Sequence, residues 1–337
     1  MRDVKMKMYY IAADRGALSY WRCVLPGYYL NRKGLAEVAI DFGRFLKEYV
    51  DWADLVVVQR VLGQSIKHLI EYCHMTKKKV VYDLDDNLFN MPDSPEYRIE
   101  GAEMIPIQAK EIMLMCDAVS VSTEGIYEAI VEECIEVRRF ILLNYFDFTQ
   151  WAKLNIQHDH FLVGWAGGHY HVQDLDMVVP GLKQIINGNK HVTLVFIGAC
   201  PMSLILEHPN RVFLQEFVPV EVFPKTMAAM RFDIGLAPLF PTEFAKSRSN
   251  IRLLQYSALE IPSVCSYWGE YARMVDDGFP CMVVNNDNWA DCIQELIDNK
   301  EKRQYIGKEA YKFVTERFDI NKNIQVWANA YEEVLNS

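Results

Sequence analysis

The sequence contains no long apolar run and no surplus of basic residues. No apolar stretch reaches the roughly 20 residues that a membrane-spanning helix requires, and the first residues lack the apolar segment and cleavage site of a secretory signal. The 35 Lys and Arg residues are outnumbered by 45 Asp and Glu residues. Because nucleic-acid-binding surfaces are usually basic, this balance disfavours a general nucleic-acid-binding protein, although a local basic cleft can still bind phosphates.

Cysteine spacing typical of metal sites or disulfide frameworks is also absent. The eight cysteines are scattered and form no CxxC pair. Several of them, such as Cys116 and Cys265, lie within apolar runs, so we expect reduced, mostly buried thiols in a cytoplasmic protein. Tandem repeats and low-complexity segments are lacking too, and the 51% hydrophobic content is that of an ordinary globular protein.

What the sequence does contain is a regular alternation of short apolar runs and longer amphipathic stretches. Since 337 residues exceed what one core usually serves, this alternation predicts an α/β fold with two doubly wound parallel sheets. The polar stretch 144–160 is the predicted linker, and Thr123 is a predicted helix N-cap. The predicted strands are 8–12, 55–59, 79–84, 118–122, 140–144, 161–166, 192–198, 211–215, 233–239, 262–267 and 280–284. The predicted helices are 64–75, 123–136, 173–188, 219–230, 249–259, 288–298, 300–316 and 320–335.

Glycines follow the predicted strand 161–166, where a ligand of such a sheet would bind. Gly167 and Gly168 open into a helix, which allows the backbone to approach a phosphate, with His169 or His171 near the anion. The alternative is a tight turn in which His171 or Asp174 caps the helix.

Histidines cluster around the same strand and raise the question of a zinc site. They are His158, His160, His169 and His171. The two pairs straddle a strand, and no Cys pair accompanies them, so we predict no metal site.

Cations crowd a second predicted helix start. Lys246, Arg248 and Arg252 lie where the helix dipole disfavours positive charge, which indicates that an anion binds from outside. The Ser249 hydroxyl or the Asn250 amide is the predicted cap. The alternative is a solvated basic turn without a ligand.

Residues 233–264 resemble the donor-site signature of GT-B glycosyltransferases, most closely glycosyltransferase family 4 and its group 1 relatives in a bacterial or phage branch. The matching residues are DIGLAPL (233–239), Phe244, Lys246-Ser247, RLLQY (252–256), Ala258 and IPSV (261–264). The stretches VGWAGGHYHVQDL, VTLVFIG, DWADLVVVQR, KKVVYDLDDNLF, CDAVSVSTEGI and ILLNYFDFTQW also fit, so the resemblance covers nearly the whole chain in order.

This resemblance implies two Rossmann-like domains that face a cleft. The expected boundaries are 1–150 for an acceptor domain and 151–319 for a donor domain, with a helix of about 320–337 that packs back on the first domain. The implied reaction moves a sugar from a nucleotide diphosphate-sugar, expected to be a UDP-sugar, to a hydroxyl group, with retention. The implied acceptor is a glycan or another small molecule, and neither a metal nor a cofactor is expected.

The resemblance also implies residue roles at the donor. Lys246 matches the position that binds the diphosphate, Arg252 supports it, and Asn250 lies at the same helix start. Ser247 and Gln255 stand where many members have glutamates that contact the sugar and the ribose. These departures leave the sugar contact and the ribose contact open.

In the first domain, the run KVVYDLDDNLF places carboxylates after a strand. Asp85 or Asp86 is the implied group that orients an acceptor hydroxyl or serves as a base. The alternative is a loop carboxylate that caps Asn87 or pairs with Arg60 or Arg22. The implied acceptor-binding residues are Arg15, Gly16, Tyr20, Arg22 and Arg60, and surface arginines without a ligand are the alternative.

Three other functions stay open at this point. One is transfer to a hydroxymethylated base in DNA, as in phage glycosyltransferases, which the acidic composition disfavours. Another is epimerisation of a nucleotide sugar without an acceptor. The third, which the Ser247 and Gln255 departures keep open, is a nucleotide-sugar-binding protein without catalysis.

Overall fold

The computed structural model describes residues 5–92, 101–154 and 159–337. The chain forms two compact units. The first comprises Met1–Phe146, Ser247–Ser249 and Phe318–Ser337, and the second comprises Asp147–Lys246 and Asn250–Arg317. Within the described ranges, the helices are all too short or too polar to cross a membrane.

The first unit is built on a six-stranded parallel sheet in the order β2-β1-β3-β4-β5-β6. Its central strands are fully buried, as expected of a parallel sheet that is covered on both faces. The chain passes from β1 to β2 on one side and then crosses to β3 on the other side of β1. The switch point of this sheet therefore lies between β1 and β3. The strands are β1 Met6–Ala12, β2 Ala36–Phe42, β3 Leu55–Gln59, β4 Lys79–Leu84, β5 Ala118–Val121 and β6 Arg139–Ile141.

Helices cover this sheet and include the last one of the chain. The Tyr10 hydroxyl on β1 lies 3.3 Å from the Tyr331 hydroxyl on the last helix, α15, which therefore packs in this unit. The helices are α1 Ala17–Ser19, a π-helical turn Tyr20–Val24, α2 Leu25–Arg32, α3 Lys47–Trp52, α4 Gln64–Met75, α5 Ile105–Met115, α6 Glu124–Glu132 and α15 Ile320–Leu335, with short 3₁₀ turns at Ala102–Met104 and Phe148–Gln150, the latter in the second unit.

The second unit has a parallel sheet in the order β12-β11-β10-β7-β8-β9. Counted from its own first strand, this is the order 3-2-1-4-5-6 of dinucleotide-binding folds, and its switch point lies between β7 and β10. The strands are β7 Phe161–Ala166, β8 Val192–Ile197, β9 Val212–Gln215, β10 Ile234–Ala237, β11 Ser263–Ser266 and β12 Met282–Val284.

The helices of the second unit bury apolar stripes against this sheet. In α7, the buried residues Leu175, Val178, Leu182 and Ile185 recur at helical spacing and join the core of the unit. The helices are a 3₁₀ turn His169–His171, α7 Val172–Gly188, α8 Met202–Glu207, α9 Phe223–Met230, α10 Glu243–Lys246, α11 Ile251–Ala258, α12 Gly269–Asp276, α13 Trp289–Asp298 and α14 Lys300–Arg317.

The predicted fold class is confirmed: both units are doubly wound parallel α/β sheets. The Thr123 cap is confirmed as well, since its hydroxyl accepts the Ile126 N–H at 3.2 Å. The strand Ala36–Phe42 escaped prediction because Glu37 and Asp41 interrupt its apolar pattern at the edge of the sheet. The predicted helix over 249–259 begins at Ile251, and Lys246 ends a separate short helix.

Candidate active site

The switch point of the second unit brings together the two loops that the sequence singled out. One loop follows β7 and carries Gly167 and Gly168, and the other follows β10 and leads to Lys246. Since β7 and β10 are neighbours in the sheet, both loops emerge from its carboxyl edge, where ligands of this fold bind.

The two glycines of the first loop have different roles. The Gly167 N–H donates to the Ile197 carbonyl at 3.0 Å, so the expectation that it would reach a phosphate is wrong. A Cβ on Gly167 would lie 2.7 Å from the Arg252 guanidinium and the Trp165 ring, which explains the glycine. An added Cβ on Gly168 would come no closer than 4.0 Å, to the Tyr170 ring, and the backbone is extended, so of the two glycines Gly168 has the N–H suited to an anion.

Gly198, at the end of β8, also supports this loop. Its φ of +92° lies in the region that favours glycine, and an added Cβ would lie 2.2 Å from the Gly167 carbonyl oxygen. The same Cβ would lie 3.6 Å from the ring of Phe217, whose side chain is 66% exposed. Roles for Gly198 and Phe217 could not be predicted from the sequence, because their proximity to the loop depends on the pairing of β7, β8 and β9.

Arg252 lies in the first turn of α11, where its side chain is buried beneath the glycine loop. Its Nε–H donates to the Ala166 carbonyl at 3.0 Å, and its guanidinium lies 5.0 Å from the centroid of the Trp165 ring. Nη1 is buried and has no hydrogen-bond partner among the described residues. The side chain therefore places one fixed positive charge at the end of β7.

Lys246 ends the short helix α10 and is the more accessible cation. Its side chain is 38% exposed, and its ammonium lies 3.8 Å from Glu243 on the same helix. Gly269 holds this turn in place: its φ is +54°, and an added Cβ would lie 2.4 Å from the Lys246 carbonyl oxygen. The Trp268 indole donates to the Thr242 carbonyl at 3.1 Å, which fixes the start of α10.

The loop after β10 is pinned by two buried side chains. The Leu239 N–H donates to Ser266 Oγ at 2.9 Å, and the Phe240 N–H donates to Asp174 Oδ1 at 2.6 Å. The second Asp174 oxygen lies 2.6 Å from His171 Nδ1. These bonds attach the loop to β11 and α7, and they therefore fix the course of the backbone that leads to Lys246.

The predicted donor residues His169, His171 and Asn250 differ in exposure and in the contacts that they make. His169 is exposed and stacks against Tyr170, whereas His171 is partly buried between Asp174 and Trp165. Asn250 is the N-cap position of α11, but neither its side chain nor that of Ser249 caps the helix, so the predicted capping bond is wrong.

Ser247 and Gln255 are the two residues that depart from the glutamates of the donor-site signature. Ser247 is buried and belongs to the first unit. Gln255 is half-buried on α11, in the second unit, next to the buried Leu254.

In the first unit, Arg22 is a structural residue. It donates to both carboxylate oxygens of Asp83 at 2.9 and 2.6 Å, and to Asn144 at 3.1 Å. Its side chain is completely buried and lies 4.7 Å from the Trp327 ring centroid on α15. Arg22 therefore has no surface for an acceptor, and that expectation is corrected.

The three aspartates after β4 have separate environments. Asp83 is bonded to Arg22 and to the Ser120 hydroxyl, and Asp86 pairs with Arg60 at 2.6 Å. Asp85 is buried, lies 3.7 Å from Arg60, and neither of its oxygens has a hydrogen-bond partner in the described structure. Burial raises the pKa of Asp85 to about 6, although the charge of Arg60 opposes that shift.

The loop after β1 carries the other predicted acceptor residues. Arg15 is exposed, with its guanidinium 5.0 Å from the Phe42 ring centroid, and the Gly16 N–H donates to Asp14 at 2.6 Å. Tyr20 begins the π-helical turn and is half-buried. Such turns are frequent at functional sites, and here the turn directs Trp21 and Arg22 into the core.

The described residues contain no cluster of three or more metal-type ligands. Of the four histidines that raised the zinc alternative, His158 lies outside the described residues. His160 is exposed.

Comparison with known proteins gives a partial family match and a fold-level match. Residues 182–329 match a family described as glycosyl transferase-like. In a sequence comparison with curated proteins, nothing matches significantly.

Three solved structures share the fold over essentially the whole chain. HepE of Anabaena, in complex with UDP and glucose, has a TM-score of 0.72 and 15% identity, and the match covers 97% of this chain and 100% of HepE. Sucrose-phosphate synthase of Thermosynechococcus elongatus has a TM-score of 0.74 and 12% identity, with 98% and 100% covered. A glycosyltransferase of Rickettsia africae has a TM-score of 0.72 and 12% identity, with 98% and 99% covered.

Proposed function

We propose that this chain is a GT-B glycosyltransferase of the group 1 type that transfers a sugar from a UDP-sugar to a hydroxyl acceptor with retention; the partial family match and the shared fold support this proposal. The observation that supports this proposal most directly is the pair of cations at the switch point of the second unit. Lys246 is accessible there, and Arg252 is buried with one unpartnered nitrogen. HepE, solved with UDP and glucose, supports the choice of nucleotide.

The donor diphosphate is bound by Lys246 and the Gly168 N–H. Lys246 supplies an ammonium group, and Gly168 supplies a backbone donor in the open loop. Arg252 adds positive charge from beneath the loop, and its bond to the Ala166 carbonyl keeps that charge fixed. The exposed ring of Phe217 offers a stacking face for the base.

Catalysis then rests on charge stabilisation. As the bond between the anomeric carbon and the diphosphate breaks, negative charge grows on the departing phosphate, and positive charge grows on the sugar. Preorganised cations and N–H groups stabilise the leaving diphosphate without reorganisation, and removal of one such donor typically costs 10²–10³ in rate.

Asp85 is the proposed group for the acceptor hydroxyl. Its two buried oxygens, one of them 3.7 Å from Arg60, have no hydrogen-bond partner in the described structure, whereas Asp83 and Asp86 are engaged by Arg22 and Arg60. A glycan or another small molecule is the proposed acceptor.

The first test measures binding of UDP, GDP, ADP and CDP, free and as sugar conjugates, by thermal shift. Ligand at about 100 times its dissociation constant stabilises a fold by roughly 2.7 kcal/mol. We expect UDP and a UDP-sugar to stabilise the wild type and to lose this effect in Lys246→Ala, which should also lower turnover at least about tenfold. Lys225→Ala, at an exposed lysine on α9, is the matched control.

The outcomes separate the competing functions. Binding of a UDP-sugar without transfer or hydrolysis indicates a non-catalytic nucleotide-sugar-binding protein. A full UDP response in Lys246→Ala would contradict the diphosphate assignment.

The second test identifies the acceptor and the stereochemistry. A panel of glycans, small-molecule alcohols and hydroxymethylated duplex DNA is incubated with the donor, and the anomeric configuration of the product is read by NMR. An inverted product contradicts retention. Transfer to DNA that weakens steeply with salt supports the phage-type alternative. We expect the rate to be the same with EDTA, because Lys246 and Arg252 supply the charge.

A further inference from the structure

An open groove runs along β2, at the edge of the sheet in the first unit. It has a volume of about 660 Å³ and is lined by Glu37–Asp41 of β2, by Glu48, Tyr49 and Trp52 at α3, and by Asn31. Tyr49 is 39% exposed, and its ring lies 5.5 Å from that of Tyr9, which keeps the wall of the groove rigid. None of its lining residues is among those proposed for transfer.

β2 is unusually long for an edge strand. It has seven residues, whereas the other edge strands, β6, β9 and β12, have three, four and three in the described structure. Short edge strands are one of the ways in which proteins avoid unwanted pairing. A long edge strand that is left open is instead a template for an added strand.

The backbone of β2 presents unpaired groups to this groove. The Gly43 N–H donates to the Ala12 carbonyl, so the odd-numbered residues of β2 direct their backbone toward β1. Because the direction alternates along a strand, the N–H and C=O groups of Val38 and Ile40 point to the open side. No hydrogen bond to them occurs in the described ranges.

The side chains around these groups are acidic and aromatic. Glu37 and Asp41 lie on the same face of β2, and Glu48 stands opposite on α3. Neither Glu37 nor Glu48 has an ion pair among the described residues, and Asp41 accepts only a neutral hydrogen bond, from Tyr9 at 2.8 Å. Lys7 lies 5.9 Å from the Trp52 ring centroid at the rim, and the Arg15 guanidinium lies 5.0 Å from the Phe42 ring centroid at the end of β2.

We propose that this groove binds an extended, basic peptide segment of a partner protein, which adds to the sheet as a strand beside β2. The open N–H and C=O groups of Val38 and Ile40 would pair with its backbone. Basic side chains four residues apart would reach Glu37 and Asp41, and aliphatic side chains would lie against Tyr49 and Trp52. The inference does not depend on the proposed function.

A second copy of this chain fits the groove poorly. In an antiparallel pair of two β2 strands centred on Ala39, Glu37 of each copy would lie opposite Asp41 of the other. Like charges directly across a strand pair are destabilising. The same carboxylates that disfavour self-pairing favour a cationic strand.

The test uses a fluorescent peptide, acetyl-Thr-Lys-Thr-Val-Thr-Lys-Thr-amide, whose valine shares a strand face with the two lysines, and fluorescence anisotropy with the full chain. Three matched peptides accompany it: one with glutamates in place of the lysines, one with the same composition scrambled, and one N-methylated at the central residues. We expect at least about tenfold weaker binding of the glutamate peptide and of the N-methylated peptide, because each loses one of the two recognition elements.

Protein variants and hydrogen exchange locate the site. The double substitution Glu37→Gln with Glu48→Gln should weaken peptide binding about tenfold and leave UDP binding unchanged. Bound peptide should slow amide exchange at Val38 and Ile40 more than at Ala39, whose N–H already faces β1. An N-methylated peptide that binds as tightly as the parent would overturn strand addition, as would a concentration-dependent dimer that the double variant strengthens.

Discussion

The two sheets of this protein share a doubly wound parallel frame, yet they treat charge at their switch points in opposite ways. In the first unit, Arg22 is bonded to Asp83 and Arg60 to Asp86, so these two cations are neutralised within the fold. In the second unit, Arg252 contacts a backbone carbonyl and an aromatic ring, and the Lys246 ammonium lies 3.8 Å from the exposed carboxylate of Glu243.

This difference shows how one architecture serves two chemical tasks. A cation that is already paired with a carboxylate has little left to offer a phosphate. A cation held by neutral groups keeps its field for an incoming anion. The second sheet is therefore suited to a diphosphate, whereas the first holds a buried carboxylate, Asp85, whose oxygens have no hydrogen-bond partner in the described structure.

The comparison predicts its largest effect at Arg22. Arg22→Met should lower the free energy of unfolding by roughly 3–5 kcal/mol, because it leaves Asp83 buried without its partner. Urea unfolding measures this loss. Arg138→Met removes an exposed pair with Glu333 at 3.9 Å and should cost less than about 1 kcal/mol. Equal losses in the free energy of unfolding would mean that the buried Arg22–Asp83 pair stabilises the protein no more than the exposed pair does.

Arg252 provides the opposing case in the second unit. Arg252→Met should lower the free energy of unfolding by only about 1–3 kcal/mol, since it strands the Ala166 carbonyl and no carboxylate. It should also weaken UDP at least about tenfold, as measured by calorimetry. Undiminished UDP affinity in a folded Arg252→Met protein would break the comparison, because this cation would then be structural like Arg22.

The next effect separates Asp85 from its neighbours. The pKa of Asp85 is about 6 in the fold and 3.8 in the ordinary state, so the folded protein binds the extra proton and loses stability as the pH rises from about 4 to 6. Asp85→Asn should therefore raise the free energy of unfolding above pH 6 by roughly 1–3 kcal/mol, while it lowers transfer.

A pH series of thermal unfolding checks the stability effect, and the wild-type rate should fall below pH 6. Asp86→Asn is the control. It removes an ion pair with Arg60 and should not stabilise the protein at neutral pH.

The two sheets can be predicted from local sequence patterns, whereas the candidate site can be predicted only in part. Alternating strands and helices predict the sheets because burial on both faces demands continuous apolar strands. Lys246 could be singled out as one of the cations before a predicted helix, although in the fold it ends the short helix α10, where the dipole favours a cation. The edge strand β2 could not, since Glu37 and Asp41 mask its periodicity.

The misplaced roles share one physical reason. Whether an arginine reaches a ligand depends on partners that are distant in sequence: Asp83 lies 61 residues from Arg22, and Ala166 lies 86 residues from Arg252. The sequence predicts that the Gly167 N–H binds a phosphate, but in the fold this N–H donates to the Ile197 carbonyl. Burial and pairing, which only the fold supplies, decide these roles.

The smallest predicted effect concerns Gln255, which stands where related enzymes commonly have a glutamate. A carboxylate accepts hydrogen bonds from ribose hydroxyls more strongly than an amide does, and the gain of a charged over a neutral bond is about 1 kcal/mol. Gln255→Glu should therefore tighten UDP about fivefold by calorimetry and leave 2′,3′-dideoxy-UDP unaffected. Tighter binding of both nucleotides would assign the gain elsewhere. Weaker UDP binding would show that the new charge repels the diphosphate, and that this position serves the cationic site by remaining neutral.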